Sequence, residues 1–229
     1  MKIALEAIRQ KEIEARSTPR PGGVRWVTLA FAFVWLLVVG TGLWVLWGYE
    51  NAPGTGAQPP RQWPADSRVE RSPGRATLVM LAHPQCPCTR AGIGELALLM
   101  AHAEGRLTAT VLFLRPDGFS AGWEKTDLWQ SAAKIPGVTA IVDEGGAEAR
   151  RFNAATSGQT VLYGADGRLL FSGGITGSRG HSGDNAGRSA IESLVNTGAA
   201  ERAETFVFGC PLFNGDSECP GSRHESNEH

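Results

Sequence analysis

From Trp26 to Trp47 the chain carries no charged residue, and Val27, Leu29, Phe31, Phe33, Leu36, Leu37, Val38, Val39, Leu43 and Leu46 fill the run. Its length matches the roughly 20 residues needed to cross a bilayer core. Trp26, Trp44, Trp47 and Tyr49 stand near its ends, where interfacial aromatics belong. The run exceeds the roughly 7–15 residues of a cleaved signal's apolar core, and no small-residue cleavage site is obvious after it. Residues 26–48 are therefore read as one uncleaved transmembrane signal anchor. Before it, Lys2, Arg9, Lys11, Arg16, Arg20 and Arg25 outweigh Glu6, Glu12 and Glu14, whereas the first charge after it is Glu50. The positive-inside rule predicts residues 1–25 in the cytoplasm and everything after the span on the other side. A short surface helix is expected over 1–15, ended by Pro19 and Pro21.

Residues 49–75 hold Pro53, Pro59, Pro60, Pro64 and Pro73 with no apolar period. They are expected to be an extended, mobile tether. The folded domain is expected over 76–212. Its first strand is the apolar, β-branched run 77–82. An amphipathic helix follows over about 88–104, with Ile93, Leu96, Ala97, Met100 and Ala103 at helical spacing and Gly105 closing it. Further elements are a strand at 108–114, a helix at about 124–134, a strand at 138–142 and a small helix at about 147–152. Strands at 160–163 and 168–172 flank Ala165-Asp166-Gly167, a hairpin signal. After a glycine-rich loop at 173–183, Asp184 or Asn185 is positioned to cap a last helix reaching about Asn196, with Gly198 after it. Residues 213–229 are polar and expected to be disordered. The order β-α-β-α-β-α-β-β-α implies an α/β fold: a mixed sheet with helices on both faces, preceded by one transmembrane helix.

Composition narrows the chemistry. A net charge of −1 and a pI near 6.5 make no electrostatic case for nucleic acid. Four cysteines in 229 residues are too few for a disulfide framework and read as a site. Cys86-Pro87-Cys88 lies between the first strand and its helix. Helix-start N–H groups are unpaired there and the macrodipole is positive, so a thiol ionises more easily. Pro84 and Pro87 hold the turn. A disulfide between Cys86 and Cys88 would close a small, strained and readily reduced ring. Cys210 is a further partner if the tail folds back over the turn. Cys219 is read as incidental. His83 is placed to tune Cys86 or to cap the turn, and His102 is a surface charge partner. His181, in the glycine loop, is either a polar loop residue or a base or ligand. The loop is no phosphate cradle; its glycines allow close approach to the cysteine turn, or simply a long loop. Trp123 and Trp129 are read as core.

The strand, the Cys-Pro-Cys at a helix start, the βαβ units and the closing hairpin and helix resemble the thioredoxin-like superfamily. The added helix and strand at 124–142 are similar to the insertion of its membrane-tethered TlpA-like and peroxiredoxin-like branches. His83–Thr89, Leu169–Thr176, Arg179–His181, Gly183–Asn185 and Phe208–Leu212 look like the RedB-type proteins of that superfamily. In this register Cys86 takes the place of the nucleophilic cysteine and Thr89 that of the second cysteine. The sequence departs from the superfamily in having Cys-x-Cys, and in reading Ser157-Gly158-Gln159-Thr160 where a proline usually precedes the hairpin. The resemblance implies a periplasmic domain on a bacterial inner membrane, acting as a thiol–disulfide oxidoreductase on a protein thiol or disulfide partner. Cys86 would be the nucleophile, Cys88 or Cys210 the resolving thiol, and no cofactor is needed. Two alternatives use the same fold. One is a copper or zinc chaperone with Cys86, Cys88, His181 and Cys210 as ligands; the other is a module that binds a partner without catalysis.

Overall fold

The computed structural model describes residues 21–56 and 58–213. The surface helix expected over 1–15, the disordered end beyond Phe213, and Cys219 with it lie outside the described residues. The chain forms two compact units, Met1–Gly48 and Tyr49–His229. The first contains most of helix α1, Pro21–Asn51. Within it Arg25–Asn51 is long and apolar enough to cross a membrane, alone among the described helices. Its apolar side chains are exposed, Trp26 and Phe31 by more than 70%.

The second unit contains the elements in the order the patterning predicts: β1 (Ala76–Ala82), α2 (Pro87–His102), β2 (Leu107–Arg115), α3 (Asp127–Ala133), β3 (Val138–Glu144), α4 (Ala147–Arg151), β4 (Thr160–Tyr163), β5 (Leu169–Gly173) and α5 (Ala186–Thr197). The sheet runs β3-β2-β1-β4-β5. β1 pairs parallel with β2 and β2 with β3, while β4 and β5 run antiparallel. The central strand β1 thus ends at the cysteine turn. The α3 helix begins later than its pattern suggests. Glu124 is buried beside Arg115, 3.6 Å away, in the preceding loop. The hairpin turn is as Asp-Gly demands: Gly167 has φ +82° and Asp166 Oδ1 accepts from the Arg168 N–H.

Alternation along β1 divides the core. Leu78, Met80 and Ala82 pack with Ile93, Leu96 and Leu99 of α2, Leu128 of α3 and Ile191 of α5. Val79 and Leu81 face the other side with Leu112, Val161, Tyr163, Ala149 and Phe152. Helices therefore cover both faces, but the second has only the five-residue α4. Much of the remaining cover comes from residues expected to be a mobile tether, which corrects that expectation. Val69 is buried, and Trp63 sits edge-on to Phe152 and Tyr163 at 5.3 and 5.2 Å. The segment is stitched to the hairpin by Trp63 N–H to Gly167 O, Leu169 N–H to Arg61 O, and Tyr163 Oη–H to Pro60 O. Its prolines are compatible with this because an edge segment leaves alternate N–H groups unused.

Candidate redox site

The site begins where β1 stops. Cys86 donates its N–H to His83 O across a tight turn and becomes the N-cap of α2, with Pro87 in the first helical position. Pro is suited there because that N–H would be unpaired in any case. Thr126 Oγ1 anchors the turn from the side by donating to Pro84 O.

A hydrogen-bond chain runs beneath the sulfur. Ser157 Oγ accepts the buried His83 N–H at 2.8 Å and shares a hydrogen bond with Thr89 Oγ1, also 2.8 Å away. Thr89 in turn donates to Cys86 Sγ. Thr89 thus supplies a donor to the Cys86 sulfur from the first turn of α2. Ser157→Ala leaves the His83 N–H buried and unpaired. It is expected to cost about 1–3 kcal/mol, read from urea unfolding, and to raise the Cys86 pKa.

The tail supplies the rest. Residues 203–206 run beside β5, with Ser172 N–H to Ala203 O, Thr205 N–H to Ser172 O and Gly174 N–H to Phe206 O. The chain then crosses the loop before β4, where Ser157 N–H reaches Cys210 O and Leu212 N–H reaches Ala155 O, with Thr156 and Pro211 paired antiparallel. Only glycine permits the crossing at 209, since a Cβ there would fall 1.9 Å from Ser157 O. The outcome is a sulfur–sulfur contact: Cys86 Sγ and Cys210 Sγ are 3.1 Å apart although 124 positions separate them.

These contacts set the thiol acidities. The Cys210 thiol, then the Cys88 thiol, hydrogen-bond to the Cys86 sulfur and hold its pKa far below the ordinary thiol value, outweighing its burial. The Cys210 N–H and Thr89 add to this. Cys88 is pushed well up, because it gives its proton to Cys86, is half-buried and stands beside that negative charge; Arg179 opposes the shift. His83 is held below its usual value by burial, against the pull of the Cys86 thiolate. Its Nδ1 accepts from the Gln85 N–H, so the proton of the neutral ring is on Nε2, and the ring stands edge-on to Trp123 at 5.7 Å.

These shifts make the stability of the reduced protein depend on pH. Below the ordinary thiol pKa, unfolding returns a proton to Cys86, so rising pH stabilises the reduced native state through this residue. Cys88 acts oppositely: its contribution is present below the ordinary thiol pKa and is lost above it. The reduced chain is expected to gain stability from pH ~5 toward pH ~9 relative to Cys86→Ser, and to lose part of that gain above. Urea midpoints of the two proteins across this range measure the difference.

The structure brings Cys86, Cys88 and Cys210 together, as the sequence allowed. Cys86, however, has no exposed surface, whereas Cys88 and Cys210 are partly exposed. His181 is exposed on its loop, and among the described residues no group of three His, Cys, Asp or Glu side chains is arranged to hold a metal. His102 pairs with Glu192 at 2.8 Å. Trp129 packs on the core against Phe113, while Trp123 is partly buried beside His83.

Sequence reasoning missed Ser157, Arg179 and Glu95. Arg179 donates to Gly209 O at 2.6 Å and also hydrogen-bonds Cys88, so the glycine loop does approach the cysteine turn. Glu95 is buried on α2. It accepts from the Gly183 N–H, from Asn185 Nδ2 and from Arg188, tying that loop down. Asn185 is the α5 N-cap, accepting from the Arg188 N–H.

The site and its sheet define a thioredoxin-like fold. No protein-family model and no curated protein matches the chain. Among solved structures, it is similar to a hypothetical protein from Sinorhizobium meliloti, with 18% identity over 70% of this chain and 93% of that one, TM-score 0.52. An uncharacterised conserved protein from Geobacillus kaustophilus shows 16% identity over 72% and 94% of the two chains, TM-score 0.51. A secreted disulfide oxidoreductase from Mycobacterium tuberculosis shows 22% identity over 42% and 67%, with a TM-score of 0.34.

Proposed function

We propose that this chain is a membrane-tethered thiol–disulfide oxidoreductase whose working pair is Cys86 and Cys210. The observation that carries the reading is the 3.1 Å contact between their sulfurs. An S–S bond is about 2.05 Å, so closure needs a shift of about one ångström. Cys210 lies outside the named helices and strands, and rotation about its Cα–Cβ bond moves the sulfur without breaking the backbone bonds that hold the tail. Oxidation removes two protons and two electrons from the thiols and forms one S–S bond; reduction by a substrate dithiol reverses this. Cys86 supplies the thiolate, stabilised by the helix start and by the donors around it. Cys88 is the lesser candidate, since a Cys86–Cys88 bond closes a strained ring.

The apolar helix would anchor the protein, and the excess of basic residues before it supports a redox domain on the periplasmic side of a bacterial inner membrane. Disulfides persist there. The partner class is a protein thiol or disulfide, and the chemistry needs no cofactor.

Equilibration of the full-length protein in detergent with glutathione buffers tests this. One two-electron transition is expected, retained by Cys88→Ser and lost by Cys210→Ser. A transition lost with Cys88 and kept without Cys210 would overturn the assignment of the pair.

A further inference from the structure

Within this redox reading, the burial of the two cysteines differs in a way that points to which one meets the partner. Cys86 is fully enclosed, beneath Cys210 and above Thr89 and Ser157. Cys210 lies on the outer side of that contact and is partly exposed. A thiolate attacking a disulfide approaches the sulfur it can reach and expels the other. We infer that Cys210 is the sulfur that forms the mixed disulfide with the partner, and that Cys86 is the inner leaving group rather than the attacking residue.

A partner thiolate attacks Cys210 Sγ of the Cys86–Cys210 disulfide. The new bond joins the partner to Cys210, the old S–S bond breaks, and its electron pair leaves on Cys86. The second thiolate of the same partner dithiol then attacks the partner sulfur and expels Cys210, which takes up a proton. The partner leaves with one disulfide, and the protein is left as two reduced cysteines.

The surroundings suit these roles. Cys210 has no thiol proton while its sulfur is in a disulfide, but Cys88, Thr89 and the Cys210 N–H remain as donors, so charge arriving on Cys86 is met by groups already in place, and a stabilised thiolate leaves faster. The same stabilisation favours the reduced form, so the protein acts as an oxidant of dithiols. Cys210 is steadied from both sides. Ser157 N–H holds its carbonyl, and Arg179 holds that of Gly209. The backbone that carries its sulfur is thus held in place through both attacks.

The experiment uses full-length protein in detergent, as wild type and as Cys88→Ser to prevent reshuffling through that thiol. The oxidised protein is treated briefly with reduced glutathione, quenched in acid, alkylated and mapped by mass spectrometry. Glutathione is expected on Cys210, exceeding that on Cys86 by at least roughly tenfold, with Cys86 recovered as the alkylated thiol. Glutathione mainly on Cys86 would overturn the inference while leaving the redox pair intact. If oxidation yields no Cys86–Cys210 bond to open, the pair itself is wrong and the inference falls with it.

Discussion

Cys86→Ser is expected to abolish disulfide transfer by the full-length protein. The rate at which it oxidises dithiothreitol at the expense of glutathione disulfide should fall by roughly three orders of magnitude or more. The reason lies in the geometry. Four donors converge on Cys86: the thiols of Cys210 and Cys88, the Cys210 N–H, and the Thr89 hydroxyl beside Ser157. A serine hydroxyl accepts these bonds and preserves the packing. It cannot form the S–S bond or carry the charge at neutral pH. The variant should therefore remain folded, with an unchanged far-ultraviolet circular dichroism spectrum. Cys88→Ser should keep most of the rate, because Cys88 is one donor among several. A Cys86→Ser protein that transfers disulfides at the wild-type rate would remove Cys86 from the chemistry.

Glu95→Ala is expected to have the largest effect on stability, about 2–4 kcal/mol, because it takes from Arg188 its buried partner, leaving the more exposed Asp184 and Glu192, and takes the acceptor from two buried donors. Glu95 is 1% exposed and the Arg188 side chain 11%. The carboxylate also satisfies the Gly183 N–H and Asn185 Nδ2, which are left without that acceptor. Replacing both charges with apolar residues of similar size, Glu95→Leu with Arg188→Met, should recover most of the loss. That double change leaves no isolated charge behind. Urea unfolding of the three variants and the wild type separates these outcomes. A loss below about 1 kcal/mol in Glu95→Ala would show the pair to behave like an exposed one. Because the loop tied down here carries Arg179, the variant should also weaken the hold on Gly209 and slow closure of the Cys86–Cys210 bond.

How much of this is legible in the sequence differs by element. The strands are legible because a short apolar run bounded by turn residues fits a buried strand and is too short for a buried helix. The α2 helix is legible from Ile93, Leu96 and Met100, and α5 from Asn185 and Gly198, which do cap it. The long apolar helix is legible from the absence of charge over 26–47. Segment 58–72 reads as a tether because its prolines and polar residues mask two inward-facing side chains, Trp63 and Val69. A core gap that the five-residue α4 cannot fill exists only once the sheet is assembled. The cysteine turn is legible because strand, cysteine and helix are local. The approach of Cys210 is legible only as a possibility, since it depends on a crossing that Gly209 allows and on pairing with 155–157. Glu95 carries no motif of its own, and Ser157 and Arg179 stand in stretches the resemblance picks out without a role for either side chain. Each acts on a residue at least 30 positions away, as the Glu95–Gly183 and Arg179–Gly209 bonds do, and a sequence pattern does not register such pairs.

The pairing of Cys86 with Cys210 is the central claim, and the most direct measurement is of that bond. Full-length protein in detergent is oxidised with a small excess of glutathione disulfide, once folded and once in urea, then alkylated, digested and mapped. In the folded protein the Cys86–Cys210 peptide pair should dominate, and a dithiol should reduce it readily. In urea the neighbouring pair Cys86–Cys88 should gain at its expense, since proximity along the chain then decides. A folded protein that yields Cys86–Cys88, or leaves Cys86 unpaired while Cys210 joins something else, would contradict the pairing.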